Sequence, residues 1–274
     1  MSPAVQETNP RKLSWMRIRS IAVRHYYVML RSPHRLFDVT IWPLVDVVLF
    51  GSIGAFVSGT NDAGAQAFGY LLGGVVLWHI IYQAQIAVST GFLEETWSRN
   101  LLNIMVTPVK EWEYVAGTAL FGMAKLVGAT GLVVLTALAL FSFDITDLGL
   151  GLIPIAFILL VVGWMIALVV IGFILRFGSG AEALAWGILF VVMPLSGVFY
   201  PVDSLPALVR PVALALPSTY AFDAMRTLLD GGGIDWGTIG IAAGSAFILT
   251  VISLVFLTRM LKLFRARGYI TRYS

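Results

Sequence analysis

Six stretches of this chain each run for about twenty residues almost without charge, and that decides the solvent it folds in. An α-helix rises about 1.5 Å per residue, so roughly 20 apolar residues cross the ~30 Å hydrocarbon core of a bilayer. The stretches fall at 36–57, 65–92, 114–141, 150–175, 181–198 and 236–257. The 274 residues are 58% hydrophobic and 12% charged, against about 25% charged in an ordinary soluble domain. Too few polar side chains exist to cover a globule of this size in water. Cysteine is absent, which excludes disulfides, thiolate metal sites and cysteine nucleophiles.

The placement of Lys and Arg orients the spans. Arg11, Lys12, Arg17, Arg19, Arg24, Arg31 and Arg35 precede the first, and Arg259, Lys262, Arg265, Arg267 and Arg272 follow the sixth. Arg99 and Lys110 lie between the second and third, and Arg176 between the fourth and fifth. The opposite side has Arg210 and Arg226, and Lys125 falls inside the third span. An even number of spans with both termini in the cytoplasm of a plasma (bacterial inner) membrane is expected. The N-terminal text has no short apolar run with a small-residue cleavage site, so no secretory signal peptide is expected.

Residues 1–10 read as a polar tail, 11–33 as an amphipathic interfacial helix, 34–258 as the membrane domain and 259–274 as a basic tail. In the second segment Arg17, Arg24 and Arg31 recur every seven residues, while Trp15, Ile18, Ala22 and Met29 form another face. A basic stripe beside an apolar one suits a helix lying in the membrane interface. Ser32-Pro33 then breaks it. Between the second and third spans, the 94–113 loop opens with Glu94 and Glu95. Trp97, Leu101, Leu102 and Met105 follow at helical spacing, around Arg99, and Pro108 stops the pattern. A short helix over 95–106 is expected, either flat on the headgroups or docked into a soluble partner. The external segment 194–235 is too apolar for a solvated loop and too broken by Pro201, Pro206, Pro211 and Pro217 for a span. A re-entrant helix pair meets its backbone hydrogen-bonding needs. Its last helix is expected to be capped by Ser218 or Thr219 and ended by Gly231, with Asp223 and Arg226 paired three residues apart.

These two connections resemble those of type-2 ABC exporter permeases. The acidic pair, short helix, Leu101-Leu102, Pro108 and aromatic run into Gly117 are similar to the family's coupling loop. Thr96 to Leu101 depart from its usual Arg-Gly-Thr-Leu text. Gly197-Val-Phe199-Tyr200-Pro201, Pro206, Pro217-Ser-Thr-Tyr220 and Ala224-Met-Arg226 resemble the signature before the last span. The resemblance implies an all-α fold of six spans. It also implies a separate nucleotide-binding ATPase subunit, in two copies, gripping the loop, and a second permease copy. ATP and Mg would sit on that partner, with no cofactor on this chain. The implied cargo is a lipid-linked glycan, a glycolipid or an amphipathic drug. Phe199, Tyr200 and Trp164 are expected near its exit.

Four polar side chains fall in or beside spans: Asp46, His79, Lys125 and Glu182. A charge at mid-bilayer costs roughly 2.5–3.5 kcal/mol on insertion scales, so Asp46 and Lys125 either neutralise each other or each meet backbone or water separately. His79 reads as a hydrogen-bonded core residue, since one histidine makes no relay. Gly69-x-x-x-Gly73 and Gly240-x-x-x-Gly244 permit close helix contact. The chain contains no phosphate-binding loop, no His-Glu-x-x-His and no Gly-x-Ser-x-Gly, so neither an ATPase, a metal site nor a catalytic residue is expected. No nucleic-acid partner is expected; lipid is. A non-transporting scaffold of the same fold and an ion-coupled secondary transporter are the alternatives, the latter weakened by the lack of matched broken helices.

Overall fold

The computed structural model describes residues 10–59, 62–97, 109–181 and 183–266. Among them there is no strand. The order is α1 Pro10–Leu30, α2 Pro33–Ser58, α3 Asp62–Trp97 and α4 Glu111–Phe141, then α5 Leu152–Phe177, α6 Leu184–Leu195, α7 Arg210–Leu214, α8 Pro217–Leu229 and α9 Trp236–Ala266. Short 3₁₀ turns cover Ile145–Gly151, Gly178–Ala181 and Val202–Ser204. The architecture is an all-α membrane protein. Among the described residues, five helices are long and apolar enough to cross a bilayer: α2, α3, α4, α5 with its preceding turn, and α9.

Burial sorts these helices. In α3 and α5 most of the apolar stretch is enclosed by neighbours, whereas in α2, α4 and α9 less than a third is. Small residues let the inner pair meet: a Cβ on Gly163 of α5 would stand 2.6 Å from the Ala84 side chain and 2.7 Å from the Ile81 carbonyl oxygen of α3. The outer helices turn Leu49, Val127, Leu135, Phe247 and Ile248 outward. In water such faces would be costly at ~25 cal/mol per Å²; in lipid they are solvated.

The fifth apolar stretch is shorter than expected from composition. In place of a helix over 181–198, α6 has 12 residues and rises only about 18 Å. It stops because Gly197 takes φ +62° and the following turn packs against α3, where a Cβ on Gly74 would lie 2.2 Å from the Val198 carbonyl oxygen. The chain resumes in α8, whose start is tied to the end of α6 by Ser196 Oγ and Ser218 Oγ, 2.7 Å apart and both buried. The far end of α8 reaches the start of α3: Gln66 Nε2 donates to Asp230 Oδ1 at 2.7 Å and the Tyr70 hydroxyl to Asp230 Oδ2 at 2.6 Å. Along its length α8 lies against the end of α6, with Ser218 and Arg226 both meeting the 196–197 turn.

The packed face of α1 keeps most of the expected stripe, with Ala22 and Met29 half-buried. Ile18 and Ile21 are buried against α4, where a Cβ on Gly117 would meet the Ile18 carbonyl oxygen at 2.7 Å and Ile21 Cβ at the same distance. Trp15, by contrast, is 57% exposed.

Candidate functional site

Three places gather the chain's polar chemistry. The first is a seam between α2 and α3. Asp46 sits halfway along α2, and its carboxylate lies 3.7 Å from His79 Nε2. His79 is buried, and its Nδ1 is 2.9 Å from the Val75 carbonyl. A carbonyl only accepts, so Nδ1 carries the proton. His79, not Lys125, is the ionisable neighbour that the α2–α3 packing sets beside the Asp46 carboxylate, beyond hydrogen-bond range. His79 is the core residue its sequence context suggested. One turn further, the Tyr82 hydroxyl donates to Asp38 Oδ1 at 2.8 Å. Gln83 and Gln85 are buried on α3. Gln85 Nε2 donates to Ser89 Oγ at 3.0 Å and to the Ala185 carbonyl at 2.9 Å, which joins α3 to α6. Gln83 offers both ends of its amide with no protein partner.

The second place is the 194–235 segment. Phe199 stacks on Phe50 of α2, with ring centroids 4.2 Å apart and planes 17° apart. The Tyr200 hydroxyl donates to the Pro194 carbonyl at 2.8 Å. Pro201 and Pro206 are exposed, and Pro217 is the buried first residue of α8. Asp223 and Arg226 pair as expected, 3.5 Å apart. Arg226 does more than that: buried to 4% exposure, it donates through Nη1 to the Gly197 carbonyl at 2.7 Å. The expected helix cap is corrected. Residue 216 at the N-cap is Leu216 with no side-chain bond; Ser218 turns to Ser196, and Thr219 donates to the Ala213 carbonyl at 2.6 Å. Gly231, at φ +77°, does follow α8, its N–H donating to the Leu228 carbonyl at 3.1 Å. Asp235 opens α9, its carboxyl held below the usual range by the Thr238 hydroxyl and by backbone N–H groups.

The third place is the end of the 94–113 loop. Arg99, Leu101, Leu102, Met105 and Pro108 lie outside the described residues, as does Glu182. Glu94, Glu95 and Trp97 belong to α3, which continues through the expected start of a separate loop helix. Downstream, Glu113 is 1% exposed. It accepts from the Lys110 backbone N–H at 3.0 Å and from Arg17 Nη1 of α1 at 3.4 Å. This role was not foreseen. Its only sequence signal is an acid at the third helical position, half of a capping box.

Other residues are positioned more plainly. Trp164 on α5 is 40% exposed. Of the two small-residue pairs, Gly73 packs against Met225 and Leu229, while a Cβ on Gly69, Gly240 or Gly244 would meet nothing within 4 Å.

A bundle of apolar helices with two enclosed and three outward-facing members is the form of a multi-pass membrane protein. Over residues 16–229 the chain matches the ABC-2 type transporter family, and it belongs to that family. No curated relative matches the chain. The family's members are membrane subunits of ABC-type transporters, a transport role that is not itself catalytic.

Proposed function

We propose that this chain is the permease subunit of an ATP-driven exporter, moving an amphipathic molecule out of the cytoplasm or its inner leaflet. Two copies would work with two separate ATPase subunits that bind ATP and Mg. The observation that carries this reading is the family match over residues 16–229. The charge distribution supports it: fifteen of the 18 Lys and Arg fall on one side of the expected spans, so both termini and the 94–113 loop face the cytoplasm. The cargo class stays broad here: lipid-linked glycan, glycolipid or amphipathic drug.

Six crossings follow if the short α6 makes the fifth passage and the 194–235 segment re-enters from the outer side, its exposed middle meeting water. In this reading nucleotide-driven closure of the ATPases pushes on the loop after α3, and the outer helices tilt around the enclosed pair.

The test is co-purification. A tagged chain should retain the ATPase subunit encoded beside it, and Leu101→Asp with Leu102→Asp should release it. Retained assembly in the double variant removes the loop as the docking element; transport driven by an ion gradient with no ATPase present overturns the exporter reading.

A further inference from the structure

Asp46 is an acid without an adequate partner. It lies in the middle of a 26-residue apolar helix, and its side chain keeps 21% of its surface exposed. His79, at 3.7 Å, is too far for a hydrogen bond. With Nδ1 committed to the Val75 carbonyl, it would need a second proton on Nε2 to become a counter-ion. A carboxylate at the edge of the α2–α3 seam, a fifth of its side chain exposed, calls for a cation or for water.

Its surroundings on the helix say which. Residues four apart share a helix face, so Trp42 and Phe50 bracket Asp46 by one turn on either side. Trp42 is 41% exposed, and Phe50 is held in place by its stack on Phe199. Val45 and Leu49, both about half exposed, continue the apolar surface beside them. The row is thus an aromatic, an acid and an aromatic, bordered by aliphatic side chains. Ring faces attract cations electrostatically, and most strongly those of Trp. A carboxylate adds the matching formal charge, and the aliphatic border suits an apolar body. An anionic headgroup would be repelled. A neutral sugar could stack on Trp42 but would leave the carboxylate's charge uncompensated in a low-dielectric site.

We propose that Asp46, Trp42 and Phe50 form a recognition site for an organic cation with an apolar body. The site rests on the exporter reading only for its purpose, selecting cationic amphiphiles among the cargo classes named above. Binding itself needs neither the ATPase nor nucleotide, so the two ideas fail separately. Phe199 acts here as a positioning residue that fixes Phe50 from the turn after α6.

The experiment is equilibrium binding of radiolabelled tetraphenylphosphonium to the purified full chain in phosphatidylcholine nanodiscs, with empty nanodiscs subtracted. The wild-type chain should bind the cation saturably and discriminate against tetraphenylborate, its anionic isostere. Asp46→Asn should weaken the cation at least about tenfold, equivalent to about 1.4 kcal/mol. Asp46→Glu should stay within about threefold of wild type, and Trp42→Phe should lose less than Trp42→Ala. Asp38→Asn, which removes the acid already engaged by Tyr82, should change nothing. Equal binding of the two ions, no saturable cation binding, an undiminished Asp46→Asn variant, or displacement by a neutral alkyl glycoside in place of the cation would each overturn the proposal. Should Asp46→Asn fail to fold, the contrast between the two ions on the wild-type chain still decides.

Discussion

Arg226→Met separates two roles that proximity alone would blur. The arginine has a half-exposed acid 3.5 Å away, Asp223 at 56% side-chain exposure, and a buried carbonyl, that of Gly197, at 2.7 Å. The ion pair resembles a surface pair, for which about 0–1 kcal/mol is typical. The carbonyl bond is charge-assisted and enclosed, a class that contributes about 1.5–3 kcal/mol, and its loss strands a buried acceptor. Methionine fills much of the same volume but cannot donate, so Arg226→Met should cost about 2–4 kcal/mol. Asp223→Asn should cost less than about 1 kcal/mol. At roughly 2 °C per kcal/mol for a chain of this size, melting should fall by about 4–8 °C in the first variant and by less than about 2 °C in the second. The assay is thermal unfolding of the full chain in nanodiscs, followed by circular dichroism. Arg226→Lys should fall between, since one ammonium reaches one partner less well than a planar fork. Equal losses for Arg226→Met and Asp223→Asn would refute the assignment of Arg226 to the Gly197 turn.

Other outcomes follow from the same geometry. Gly74→Ala places a methyl 2.2 Å from the Val198 carbonyl and should destabilise by about 1–3 kcal/mol as an overpacked site, whereas Gly69→Ala should be neutral in the same melting assay. Phe50→Ala and Phe199→Ala, run as a double-mutant cycle, should show a coupling of about 0.5–1.5 kcal/mol for their stack; additivity would deny it. Asp235→Ala should raise hydrogen exchange at the Gly237 and Thr238 amides, which the carboxylate accepts from at 2.9 and 3.2 Å, while Asp235→Asn should keep them protected.

The spans were legible because a bilayer asks for little beyond length and apolarity, and 36–57, 65–92, 114–141, 150–175 and 236–257 each sit within or nearly within an observed helix or its preceding 3₁₀ turn. The end of α6 was legible only in part: Pro194, Ser196 and Gly197 interrupt the apolar run, but hydropathy is blind to where a backbone turns. Gly197 and the close pass of Val198 over Gly74 end α6, and that pass joins residues over 120 positions apart. On α1 the heptad spacing of Arg17, Arg24 and Arg31 was readable, but the face that packs depended on Gly117 opening a groove on α4. The Asp223–Arg226 pair was visible because it is local. The partners of Asp46 and of Glu113 were not, because their distances are set by helix pairing that no spacing within one segment encodes.

The tether at Glu113 has a mechanical consequence. By gripping both the first turn of α4 and Arg17 of α1, this buried carboxylate makes the two helices a single lever at the doorstep of the 98–108 stretch. On the exporter reading proposed above, a push delivered there would reach the 21-residue α1 as well as the entry to α4.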